Sequence, residues 1–206
     1  QRATVAEQVG ELKRQEGKDR RQMAALEESE ARFRSIFDSV GDAIFVHDAA
    51  SGAIVDVNRR ACEMFGHSRE EMAGKDMEEL SAGVPPYTRR DAAALLARAR
   101  SGEPQSAEWL SRNSAGGLFW TELSASLARV GGRERVLVAV RDVSARKNAE
   151  EALRRHEGRI RAIFDTSPSA IFLVDRRGVI LLANKRMSGM FGLPGEELAG
   201  KPYVEL

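Results

Sequence analysis

Two kinds of apolar spacing alternate along this chain. Residues 1 to about 40 contain no proline and keep a helical period. Steps of four and three link Val5, Val9, Leu12, Glu16, Asp19, Met23, Leu26, Glu30, Phe33 and Phe37 into one seam, apolar at both ends and charged in the middle. Gly41 breaks that period. Two runs rich in β-branched and aromatic residues follow, Ala43 to His47 and Ile54 to Val57, and read as a hairpin around the turn Asp48-Ala-Ala-Ser-Gly52. Asn58 stands where a helix must start, and its side chain can accept from a backbone amide there. The short helix predicted after it puts Ala61, Met64 and Phe65 on one face and ends at Gly66.

Ser68 to Glu71 has the form of a capping box, with Met72 pointing inward. Thr88 to Asp91 starts a longer predicted helix through Leu95, Leu96 and Arg100, closed by Ser101-Gly102. After Pro104 the period becomes that of strands. Trp109, Leu118 to Leu127, and Val136 to Val140 are separated by Asn113-Ser-Ala-Gly-Gly117 and Gly131-Gly132, which predicts a three-strand antiparallel meander. From Ser144 the spacing is helical again, through Ala149, Leu153, His156, Ile160 and Ile163.

The whole pattern then restarts. N-R-R-A-C-E-M-F-G-H-S-R-E-E-M-A-G-K at Asn58 to Lys75 returns as N-K-R-M-S-G-M-F-G-L-P-G-E-E-L-A-G-K at Asn184 to Lys201, with Pro194 in the place of Ser68 as a first-turn helix residue. Strand-like runs precede both copies, Ala170 to Val174 and Ile180 to Ala183 in the second. The offset is 127 residues between Asp38 and Asp165 and 126 between Asn58 and Asn184, the scale of a duplicated domain rather than of a solenoid repeat.

These segments resemble tandem PAS domains of the S-box type found in bacterial signal transducers. The resemblance is carried by the Asn58 to Lys75 segment, by W-T-E-L-S-A-S at Trp120 to Ser126, and by R-D-V-S-A-R-K at Arg141 to Lys147, and it covers roughly residues 29 to 206. It implies an α+β fold: a five-stranded antiparallel sheet with helices on one face, a pocket between them, and long coiled-coil-like helices on either side. The expected organisation is an N-terminal coiled-coil helix over 1–28, a complete PAS domain over 29–143, a helical signalling linker over 144–160 and the first part of a second PAS domain over 161–206. That last part, ending before its own meander, is expected to pair across a dimer, to be swapped or to be partly disordered.

The resemblance also implies a role, that of a non-catalytic sensory module. It would sense a small ligand, a redox cofactor or a partner and relay the change through dimeric helical linkers to a downstream histidine kinase or cyclic-dinucleotide enzyme such as a diguanylate cyclase or phosphodiesterase. The rival reading is a structural dimerisation and spacer module with no ligand. Val9, Leu12, Met23, Leu26, Leu153 and Ile160 are the expected dimer contacts, loosened mid-helix because Glu16 and Asp19 suit a dry interface poorly and Gly10 and Gly17 weaken the helix. Phe45, Met64, Phe65, Met72, Leu95, Trp109 and Trp120 are the ligand-pocket candidates. Asp142 and Ser144 are the expected signal relay: in relatives with this motif the aspartate pairs with a basic residue, and the hydroxyl ties the last strand to the outgoing helix.

Composition narrows the chemistry. Thirty-two basic residues face thirty-one acidic, so no field argues for nucleic acid or an anionic membrane, and seven acidic residues lie among eight basic ones in the first 34. The single Cys62 excludes an internal disulfide. No apolar run reaches the ~18 residues of a membrane span, which points to a cytoplasmic segment. Three scattered histidines, His47, His67 and His156, build no metal site and read as surface or packing residues. R-R-H-E-G-R around His156 does not resemble a phosphoacceptor motif. A covalent flavin adduct is not expected, because the reactive-cysteine helix motif is absent, nor is haem, because Thr88 to Arg100 holds no histidine. Non-covalent FAD stacked on Trp109 and Trp120, or a small apolar metabolite, remains open.

Overall fold

The computed structural model describes residues 2–75, 77 and 79–205, with side chains from residue 17 onward. The seam positions Val5, Val9, Leu12 and Glu16 therefore have side chains outside the described set. The chain divides into two units, residues 1–144 and 145–206.

In the first unit, helix α1 (Arg2–Ser39) leads into strands β1 (Ala43–Asp48) and β2 (Ile54–Val57). Helices α2 (Arg59–Phe65), α3 (Arg69–Met72) and α4 (Arg89–Arg100) follow, then strands β3 (Gln105–Arg112), β4 (Leu118–Val130) and β5 (Arg133–Asp142). The five strands form one antiparallel sheet in the order β2-β1-β5-β4-β3. β4 and β5 run further than their apolar cores predict. Gly131 and Gly132 both take positive φ, 58° and 76°, and make a two-residue turn whose twist matches the strands, so pairing zips up to Val130 and Arg133.

One face of this sheet is apolar by strict alternation. Phe45 on β1, Val136, Val138 and Val140 on β5, and Leu123 and Ala125 on β4 are all buried, and they form one core with Ala61, Phe65 and Met72 from the helices. Phe65 stands edge-on to Phe45 at 5.4 Å and to Phe119 at 5.3 Å between ring centroids, so a single α2 side chain bridges both halves of the sheet. Charges pin the central register. Asp42 and Asp48 flank β1, and each meets an arginine directly across on β5: Arg141 makes a two-pronged bond to Asp42 at 2.9 and 2.8 Å, and Arg135 bonds Asp48. A slip of the strands would part both pairs at once.

The predicted caps form. Ser68 with Glu71 and Thr88 with Asp91 are both complete capping boxes, and Gly66 closes α2 with φ 72°. Asn58 does more than cap. Its side chain is fully buried, and its Oδ1 accepts from Ala61 N at 2.9 Å, the cap, and from Ile44 N at 2.9 Å. Its Nδ2 donates to Phe37 O at 3.2 Å and Asp42 O at 2.9 Å. All four hydrogen bonds an amide side chain can make are filled, and they join the end of α1, the start of β1 and the start of α2. Arg69 reinforces this corner by bonding Asp38 Oδ1 at 2.9 Å and Val57 O at 2.8 Å.

The second unit repeats the plan with fewer pieces: helix α5 (Ser144–Thr166, beginning at the last residue of the first unit), strands β6 (Phe172–Val174) and β7 (Ile180–Ala183), helices α6 (Lys185–Phe191) and α7 (Gly195–Leu198), and a 3₁₀ turn at Tyr203–Glu205. Asn184 is also fully buried and makes the same four bonds, to Ile171 N, Met187 N, Phe164 O and Ser169 O, all at 2.9–3.0 Å. β6 starts at Phe172, two residues later than the apolar run suggested, and Pro194 sits at the N-cap of α7 with no capping bond, one position before the first turn. Phe172, Leu173, Leu181 and Leu182 are exposed on the two-stranded sheet.

Both tryptophans lie in the first unit, so their fluorescence reports its unfolding alone. Asn58→Ala removes the side-chain partner of two backbone donors and two backbone acceptors and is expected to cost about 2–4 kcal/mol in urea denaturation followed by that signal. Asn184→Ala should leave the tryptophan transition where it is.

Candidate functional site

Two places in the first unit combine geometry with unusual chemistry. The first is a cleft of about 450 Å³ at one end of the core. His47 on β1 and its register partner Val136 on β5 form its sheet side. The β1–β2 turn (residues 48–53), Lys75 and Met77 after α3, and the α4 face carrying Arg89, Leu96 and Arg100 complete the walls.

His47 is fully buried, and its Nδ1 lies 2.9 Å from Gly52 O. A carbonyl oxygen only accepts, so Nδ1 carries the proton and donates. Burial holds the imidazole below its ordinary pKa of 6.5, against a smaller opposing contribution from the Gly52 bond. The ring is therefore neutral near pH 7, and Nε2 is a bare acceptor. That nitrogen is buried with no hydrogen-bond partner among the described residues. On the cleft walls, Lys75 pairs with Glu79 at 2.6 Å, and Arg100 donates to Ala49 O at 3.2 Å while meeting no carboxylate among the described residues. Asp48 is held below the usual carboxylate range, first by the amide and hydroxyl of Ser51 and further by Arg135.

The seven pocket candidates lie elsewhere. None of Phe45, Met64, Phe65, Met72, Leu95, Trp109 and Trp120 lines the cleft. Phe45, Phe65, Met72 and Trp109 are core, with Met64 and Leu95 half-buried against it. Trp109 donates its indole N–H to Ser81 Oγ at 3.1 Å and stands edge-on to Tyr87, which also meets Trp120 at 5.7 Å. Aromatic side chains here interlock between sheet and helices, which fills the space the fold would otherwise leave. His47, read from the sequence as a surface or packing residue, is a fully buried polar group lining the cleft. The repeat itself held the clue, since A-I-F-V-H-D aligns with A-I-F-L-V-D and puts Val174 at the matching position.

The second place is the junction between β4 and α5. Ser144 Oγ accepts from Trp120 N at 3.0 Å and donates to Trp120 O at 3.3 Å, while Val143 N donates to the same carbonyl at 2.9 Å. Asp142 departs from expectation. Its Oδ1 accepts from Ser144 N at 2.8 Å, a local turn, and the ion pair at this corner belongs to the neighbouring Arg141 with Asp42. Side chains alternate along a strand, and Arg141 faces across to β1 where the partner charge lies.

Of the expected dimer positions, Met23 and Leu26 on α1 are 66% and 60% exposed, and Leu153 and Ile160 on α5 are 60% and 55% exposed. Val9 and Leu12 fall outside the described side chains. Among the described residues no helix is long and apolar enough to cross a membrane, and no cluster of three or more His, Cys, Asp or Glu is placed to hold a metal ion.

A family model described as the PAS fold matches residues 31–143 and 158–206. The methyl sulfide methyltransferase-associated sensor of Methanosarcina acetivorans is 28% identical over 68% of this chain, and sporulation kinase E of Bacillus subtilis is 28% identical over 88% of it. The matched regions span 14% and 24% of those two proteins. The crystal structure of the PAS domain of an HTR-like protein from Haloarcula marismortui superposes with a TM-score of 0.50 at 27% identity, covering 60% of this chain and 98% of that one.

A buried neutral histidine makes stability depend on pH with a known sign. The unfolded chain takes up a proton at His47 near pH 6.5 and the native state does so only at lower pH, so the stability due to neutral His47 is complete above 6.5 and is lost as pH falls. Tryptophan-monitored denaturation from pH 7.5 to 5 should show a decline that is shallower in His47→Val.

Proposed function

Because the chain belongs to the PAS family, with one complete domain followed by the first part of another, we propose that it is a cytoplasmic sensory segment that relays a change in the first unit through α5 to an output domain of its parent protein. The observation that carries this reading is the Ser144 hydroxyl bonded both ways to the Trp120 backbone. It fastens the first turn of α5 to β4, a strand of the same sheet that forms one side of the cleft. A shift of the sheet must then either move the helix start or break those bonds. Ligand, redox cofactor or partner can drive such a shift only by preferring one arrangement over the other.

The relatives support a sensory role and a kinase output, since one is named a sensor and another a kinase. A cyclic-dinucleotide enzyme is the second output class this reading admits. The exposed stripe of Leu153, Ile160 and Ile163 recurs at helical spacing and suits a second copy of the same helix, giving a parallel dimer. In that role the segment from 144 to 160 acts as the linker, and no chemistry is needed within it.

Two measurements test this. With the chain fused to a kinase domain, Ser144→Ala should change autophosphorylation several-fold while lowering the stability of the first unit by only about 1 kcal/mol, and Ser144→Thr, which keeps the hydroxyl, should restore output. Equal output from all three proteins would reduce the segment to a spacer. In sedimentation equilibrium, Leu153→Glu combined with Ile160→Glu should convert a dimer to monomer without altering the tryptophan transition.

A further inference from the structure

The cleft has the makings of a binding site whose ligand chemistry can be read from its walls. His47 is fully buried at the sheet side, and its Nε2 has no partner among the described residues. The Nδ1 bond to Gly52 O fixes the tautomer, so Nε2 must receive a hydrogen bond rather than give one. The fold does not demand a histidine here. In the second unit the same strand position is Val174, and there too the register shifts at this residue beside the turn. Leaving a buried polar atom unmatched costs about 1–3 kcal/mol, a cost the Val174 copy avoids.

Three basic residues line the same cleft. Arg100 contributes a guanidinium that meets no carboxylate among the described residues and gives one hydrogen bond to Ala49 O, and Lys75 lines the same cleft with Glu79 as its partner. Arg89 is a third basic residue of the wall. Among the described residues that line the cleft, the acidic group is Asp48, which is already engaged by Arg135 and Ser51. Met77, Leu96 and Val136 supply an apolar middle. A guanidinium fork favours a planar anion, an apolar wall favours a short carbon skeleton, and the histidine requires a donor on that skeleton.

We propose that this cleft binds a small hydroxycarboxylate, with the carboxylate against Arg100 and Lys75 and the hydroxyl donating to His47 Nε2. This deepens the sensory reading and rests on it for biological meaning, but binding is measured on the chain itself, so a failure of relay in the Ser144 variants leaves the binding result standing.

The test is calorimetric titration of the 206-residue chain with matched acids, lactate against propionate and malate against succinate, with inorganic phosphate as a separate arm. A site built to pair with a hydroxyl discriminates strongly against the analogue lacking it. The hydroxy acid of a pair should bind about tenfold tighter than its deoxy partner, the worth of one well-formed buried hydrogen bond. His47→Val, which copies Val174, should erase that preference. Arg100→Gln, on an exposed helix end, should weaken both acids of a pair about tenfold. Nitrogen-15 spectra of the unmutated chain should show the Nε2 resonance of His47 moving on addition of the hydroxy acid while Nδ1 stays protonated. Absence of binding across the panel, equal binding within a pair, phosphate binding without any preference for the hydroxy acid, or a preference that survives in His47→Val would each overturn the proposal.

Discussion

The first unit depends on one buried amide. Asn58 is the point at which an incoming helix, a central strand and a new helix all expose backbone groups with no regular partner, and it is the one side chain that answers four of them at once. Only asparagine or glutamine offers two acceptor positions and two donors on one planar group, and the shorter stem suits the tight approach of α1, β1 and α2. Ala or Ser could cap α2 poorly or well, but neither could reach Phe37 O and Asp42 O. The second unit makes the same choice at Asn184 against Phe164 O and Ser169 O, which argues that the corner, rather than the helix it caps, sets the residue.

Around that corner the architecture separates attachment from cover. α1 is held by its last turn, through the buried Phe37 and Asp38 bonded to Arg59 N and Arg69, while its described residues from Gly17 to Ile36 lie exposed. α5 is held by its first residue, through Ser144. Both fastenings bear on the five-stranded sheet, one at the β1 side and the other on β4. The helices that cover the sheet, α2 to α4, contribute the packing and one wall of the cleft. This division leaves the packing of the sheet to the short helices.

Much of this was legible beforehand. Strand and helix spacing located nearly all of the elements, and the capping residues Asn58, Ser68 and Thr88 marked helix starts because local hydrogen bonding dictates those positions. What stayed hidden was long-range. The cap at Asn58 was visible, but its bonds to Phe37 and Asp42 required knowing that α1 ends beside it. Phe45, Met72 and Trp109 read as pocket residues because an inward apolar side chain looks the same whether it lines a cavity or fills one. Asp142 was expected to hold the ion pair that falls to Arg141, a distinction of strand facing that only the register with β1 resolves. A lone histidine in a strand reads as packing, and its one sequence signal is the contrast with Val174 in the second copy.

The strand order also sets a timetable for folding. β1 takes its inner neighbour from β5, so Phe45 must wait for Val138, 93 residues later, and the sheet cannot close locally. Long loop closures of this kind slow folding and leave a strand edge bare in the meantime. At about 5–20 residues per second a ribosome would hold the β1–β2 hairpin unpartnered for several seconds. The aspartates at both ends of β1, which later find Arg135 and Arg141, would in that interval give a nascent apolar strand like charges that keep it from pairing with another copy of itself.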